Sequence, residues 1–79
     1  MNVVELGKLL VAESFRSDAY SLCNDLRDNT LCLENNLSFW SVYYFERGSK
    51  FYYKEFREEK DACEYLLQLI RSDPSTKMR

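Results

Sequence analysis

Histidine is missing from the 79-residue chain. Its absence removes the usual base for a serine or cysteine nucleophile and one of the two common zinc ligands. The three cysteines, Cys23, Cys32 and Cys63, include no C-x-x-C pair and cannot all pair within one chain. A zinc site wants four clustered ligands, and this spacing does not supply them. A disulfide between Cys23 and Cys32 across a hairpin is one arrangement. The expected one is three free, partly buried thiols in a reducing compartment. No G-x-S-x-G, glycine-rich phosphate loop or H-x-E signature occurs. Carboxylates alone can do acid–base work, and Glu46, Glu55, Glu58 and Glu59 lie close in sequence. Glu58 and Glu59 open a helix, however, where carboxylates belong anyway, and Glu46 flanks a turn. Neither an enzyme nor a metal or cofactor site is expected.

The chain also lacks a basic excess. Eleven Lys and Arg against thirteen Asp and Glu give a net charge of −2. Nucleic-acid affinity comes mainly from cations neutralising phosphates, and adhesion to an anionic membrane needs the same sign. Direct partners of either kind are not expected. No run approaches the roughly 20 apolar residues of a membrane span. The N-terminal V-V-E-L-G-K-L-L-V-A is interrupted by Glu5 and Lys8 and does not read as a secretory leader. A cytoplasmic location is expected.

What is present suits one small globular domain. Hydrophobic residues make up 46% and charged residues 30%, a globular balance. A chain this short buries only roughly 60–65% of its unfolded surface. Aromatics, at 15%, help because each buries about 150–250 Å². Residues 2–15 have helical spacing, with Val3, Val4, Leu6, Leu10 and Val11 forming a broad apolar face. Asn2 and Glu5 stand at capping-box positions, and Gly7 is either a cost to helix propensity or a point of close packing. Residues 20–23 and 30–34 read as short strands of a hairpin with a long irregular loop. Its turn formers are Asn24, Asp25, Asp28 and Asn29. Asn35 and Asn36 mark the next turn.

The densest signal is F-W-S-V-Y-Y-F followed, after E-R-G-S-K, by F-Y-Y. These residue types favour a pleated surface. Alternation sends Trp40, Val42 and Tyr44 one way and Phe39, Ser41, Tyr43 and Phe45 the other. Arg47, Gly48 and Ser49 break the run, and Gly48 is suited to the positive φ of a hairpin turn. Residues 58–71 form the clearest helix, with Ala62, Cys63, Leu66, Leu69 and Ile70 on one stripe. The expected fold is α+β: a four-stranded antiparallel meander with an N-terminal and a C-terminal helix packed on one face. Residues 1–73 make a single domain, and 74–79 a flexible tail. Two helices cover only one sheet face, so the inventory of tyrosines exceeds what a core uses. A protein interface follows as an expectation.

W-S-V-Y-Y-F-E-R-G-S-K and the later F-R-E-E-K-D-A-C-E-Y-L resemble a group of small bacterial immunity proteins. These accompany the C-terminal toxin domains of polymorphic-toxin and contact-dependent growth-inhibition systems. Y-S-L and L-C-L-E-N-N are similar to that group's shorter strands, so the likeness spans about residues 19–70. Where the group's pattern has an Asp-Ser cap before the last helix, this chain has Arg57 and Glu58. The resemblance implies a monomeric cytoplasmic inhibitor that binds one cognate toxin C-terminal domain, often a nuclease, and blocks its active site or substrate access. Nuclease surfaces are basic, so an inhibitor offering carboxylates gains complementarity and fast association. Asp25, Asp28, Glu34, Glu46 and Glu55 are the candidate phosphate mimics. Tyr43, Tyr44 and Tyr52 are candidate anchors, and Arg47 a candidate partner for a toxin carboxylate. Two alternatives stay open. One is another protein-binding module, such as a phage-encoded inhibitor or an adaptor. The other is a weak single-stranded nucleic-acid binder, using the aromatics with Arg47, Lys50, Lys54 and Arg57.

Overall fold

The computed structural model describes residues 1–22, 27–73 and 76. Cys23 and Asp25 lie outside them. In chain order the elements are α1 (Val3–Ala12), β1 (Tyr20–Ser21), β2 (Thr30–Asn35), β3 (Trp40–Glu46), β4 (Ser49–Phe56) and α2 (Glu59–Arg71). The four strands form one sheet in the order β1-β2-β3-β4, so the class is α+β.

The sheet is mixed, which corrects the antiparallel meander. β2–β3 and β3–β4 are antiparallel, but β1 runs parallel to β2, pairing Tyr20 with Leu31 and Ser21 with Cys32. A two-residue strand carries too little alternation to reveal its direction. The turn formers after it suit a crossover as well as a hairpin. One ladder-like bond and one side-chain bond hold β1 in place: the Leu31 amide donates to Ala19 O at 2.9 Å, and the Arg27 guanidinium donates to Tyr20 O at 2.8 Å.

α1 begins with a complete capping box. The Glu5 amide donates to Asn2 Oδ1 at 2.8 Å and the Asn2 amide to Glu5 Oε1 at 3.1 Å, satisfying two end donors reciprocally. Its apolar face is narrower than the broad stripe expected. Leu6 and Leu10 are buried, while Val4 and Val11 are exposed, because α1 packs against α2 along one line rather than lying flat on the sheet. α2 lies across β2, β3 and β4 and buries Ala62, Cys63, Leu66, Leu67 and Ile70. Each fully buried Leu or Ile contributes about 1.5–3 kcal/mol.

The two helices run side by side in the same direction. At their N-terminal ends the Val3 amide donates to Glu59 Oε2 at 2.8 Å. At their C-terminal ends Arg71 makes a forked salt bridge with Glu13. The shared polarity puts both negative dipole ends at one end of the molecule.

The sheet face under the helices presents Leu31, Leu33, Trp40, Val42, Tyr44 and Phe56 to the core. The other face carries Ser21, Thr30, Cys32, Ser41 and Tyr43, all buried, so the expected alternation along β3 holds. Within the span read as a loose tail, Thr76 is buried instead. Its hydroxyl reaches Ile70 O at 2.8 Å and Asp73 O at 2.7 Å, and its carbonyl accepts the Arg16 amide at 2.6 Å. The chain is therefore pinned beyond the end of α2. Among the described residues, no helix is long and apolar enough to cross a membrane.

Candidate partner-binding surface

The β3–β4 hairpin turns on Arg47 and Gly48, both at positive φ (50° and 79°). Glu46 and Ser49 face each other across the two-residue loop, the geometry that matches strand twist. Farther along, the register slips by one. Tyr44 pairs with Phe51 but Val42 pairs with Lys54, so Tyr43 alone opposes Tyr52 and Tyr53. This is a β-bulge whose first residue, Tyr52, sits at φ 59°. Glycine is the usual occupant of that bulge position. An L side chain there costs about 1–2 kcal/mol.

The bulge shapes an edge. β4 is the last strand of the sheet, and Phe51, Tyr52 and Tyr53 are 48%, 70% and 45% exposed. The Tyr65 hydroxyl on α2 donates to Tyr52 O at 3.3 Å, bracing the bulge against the helix. Bulges and lysines commonly blunt edges against unwanted pairing, and Lys50 and Lys54 flank this one. Three consecutive exposed aromatics on such an edge suit a partner's side chains better than a partner's strand.

On the open face, Tyr43 departs from its expected role as an anchor. It is fully buried, and among the described residues its hydroxyl has no hydrogen-bond partner. Tyr53 stacks on it with ring centroids 6.0 Å apart, and Phe45 meets it edge-on at 6.5 Å. The Lys50 ammonium lies 4.7 Å from the Tyr43 ring and 5.8 Å from that of Tyr53, within cation–π range. Tyr53 donates to Glu55 Oε2 at 2.8 Å. That bond, then burial, raises its phenol pKa. Glu34 and Glu55 both face Ser41 across the strands, so these two predicted carboxylates share a face.

Tyr44 and Tyr52 belong to a different place. They line a cleft of about 660 Å³ between the end of the sheet and the C-terminal end of α2. Leu31 and Leu69 form its apolar floor; Asn29, Asp18, Asp73 and Thr76 supply polar groups. Tyr44 donates to Asn29 Oδ1 at 3.3 Å. Burial raises the Tyr44 phenol pKa, and the charges of Glu46, Asp73 and Asp28 raise it further. The predicted Asp28 and Glu46 thus act on the Tyr44 phenol without lining the cleft, while Arg47 stands exposed at the hairpin tip. The predicted residues therefore fall on two faces. Asp18, Asn29, Asp73 and Thr76 were not foreseen, because only the tertiary fold brings these distant positions together.

No family model, curated protein or solved structure matches this chain.

The described residues hold no group of three or more metal-ligating side chains. Cys32 and Cys63 are both buried. Burial pushes the Cys63 thiol up to about 11, which keeps it protonated and poorly nucleophilic at neutral pH. The exposed features are an aromatic edge, carboxylates and a cleft.

Proposed function

We propose that this chain is an immunity protein that neutralises a toxin domain, a nuclease by preference, by occupying its active site or substrate path. The observation that carries the reading is the F-Y-Y of β4, three exposed aromatics held on a bulged edge with Tyr52 in a strained backbone conformation. Strain of this kind persists where the surroundings over-determine it, often at binding sites. Exposed tyrosines serve as interface anchors. Glu55 beside Tyr53, with Glu46 and Asp28 near Tyr44, supplies the sign that a basic, phosphate-receiving surface attracts. The resemblance over residues 19–70 supports the same role.

The test is co-expression with the C-terminal domain of the toxin reading frame adjacent to this chain's own. Rescued growth and co-elution of the two proteins are expected. Cell death without a complex would sink the reading. Asp28→Lys and Glu46→Lys are each expected to weaken the complex, chiefly through slower association. Unchanged affinity in both would place the interface elsewhere.

A further inference from the structure

The cleft beneath Tyr44 and Tyr52 has a composition that selects its occupant. Its volume of about 660 Å³ is within the usual range for ligand sites, roughly 300–1,000 Å³. One wall is aromatic, Tyr44 and the strained Tyr52. The C-terminal end of α2, with Leu69, Ser72 and Asp73, also lines it, and Arg16, Asp18 and Ala19 following α1 complete the lining. Because α1 and α2 run parallel, this part of the lining lies at the negative dipole end of both helices. Asp18 and Asp73 line the cleft, and Glu46, Asp73 and Asp28 all bear on the Tyr44 phenol.

Three of the arginines on this side are already engaged. Arg16 forks onto Asp18 at 2.8 and 3.0 Å, Arg27 donates to Tyr20 O and Arg71 holds Glu13. Among the described residues, no lysine or arginine forms a salt bridge with Asp28 or Glu46. With Asp18 offset by Arg16, which also lines the cleft, the negative charge bearing on this partly aromatic cavity is that of Glu46, Asp73 and Asp28. That combination fits a planar cation with an aliphatic stem. Guanidinium stacks on tyrosine and is more weakly hydrated than ammonium.

Resting on the reading that the chain binds a protein partner, we infer that this cleft receives an arginine side chain of that partner, its guanidinium against Tyr44 and Tyr52. Arginine is thus the residue of the partner that this end of the molecule recognises, and lysine fits it less well because it cannot stack.

The probe is acetyl-Gly-Arg-Gly-amide, with acetyl-Gly-Gln-Gly-amide as the uncharged control, titrated into the ¹⁵N-labelled full chain. Saturable amide shifts at Asn29, Leu31, Tyr44 and Asp73 are expected with the arginine peptide and not with the glutamine peptide. A single residue of this kind binds weakly, with a dissociation constant on the order of millimolar. Asp28→Asn combined with Glu46→Gln is expected to weaken binding about three- to tenfold. Tyr52→Gly, which removes one wall at an exposed position, gives the same reading independently of that pair. Equal shifts from both peptides, no shift at the cleft, or undiminished binding in both variants would overturn the inference. If the arginine peptide fails while the toxin complex forms, the cleft assignment falls and the proposed function stands. If the peptide binds and no toxin complex forms, the cleft stands and the proposed function falls.

Discussion

Position 52 offers a direct check on the bulge, because its backbone reverses the ordinary ranking of alanine and glycine. In a regular strand or helix, glycine is the worse residue by about 0.5–1 kcal/mol, since its unfolded chain has more freedom to lose. Tyr52 sits at φ 59°, where an L residue pays about 1–2 kcal/mol and glycine pays nothing. Tyr52→Ala and Tyr52→Gly both lose the same ring, which is 70% exposed, so its partial packing cancels between them. The difference left is the strain minus the glycine entropy, about 0–1.5 kcal/mol with a midpoint near 0.75 kcal/mol in favour of glycine. For a domain of this size that midpoint corresponds to roughly 3–6 °C in melting temperature. Thermal unfolding followed by circular dichroism reads it directly. A Tyr52→Ala protein that melts at or above Tyr52→Gly would refute the bulge geometry and the strain argument with it. Both variants should lose partner affinity together, which separates the anchor role of the ring from the backbone that presents it.

Three further expectations concern the scaffold. Thr76→Val keeps the shape but removes the hydroxyl that reaches Ile70 O and Asp73 O. A loss of about 1–2 kcal/mol is expected in urea denaturation, and no change would return Thr76 to a loose tail. Gly7→Ala adds a Cβ 3.7 Å from Leu22 Cδ1, an ordinary contact, and should stabilise α1 by up to about 1 kcal/mol; a lower melting temperature would show hidden crowding. Cys63 ionises near 9 when unfolded and near 11 when folded, so above pH 9 the unfolded state binds fewer protons than the native one. Stability should fall between pH 9 and 11 by on the order of 2 kcal/mol from this group, and Cys63→Ala should show a shallower slope over that window. Equal slopes would remove the burial argument.

Much of the scaffold was legible because it depends on local chemistry. Asn2 and Glu5 announce the capping box, and Gly48 marks the hairpin turn; the stripe of Ala62, Cys63, Leu66, Leu69 and Ile70 marks the buried side of α2, except that Leu67 is buried there and Leu69 only half-buried. The alternation along β3 also gave the right faces. The direction of β1 was not legible, since Tyr20 and Ser21 are too few to show a register. The bulge was hidden because tyrosine carries no signature of a left-handed backbone. Tyr43 read as a possible anchor by type, yet the slip opposite it lets Tyr53 and Lys50 close over its ring. The cleft joins residues 18, 29, 44, 52 and 73, a set that no sequence spacing suggests.

The parallel pairing of the helices has a consequence for how the chain assembles. Antiparallel neighbours can zip together locally, but α1 and α2 meet through contacts 56 and 58 residues apart in sequence, Val3 with Glu59 and Arg71 with Glu13. Contacts of such long separation must close a large loop first, which slows folding. During synthesis α1 leaves the ribosome well before α2, the helix it packs against. Until α2 follows, Leu6 and Leu10 have no helix to cover them, and the sheet core is open on the same side. The domain is therefore completed in a late, cooperative step in which its first and last elements lock together, and the cleft at their shared end forms only then.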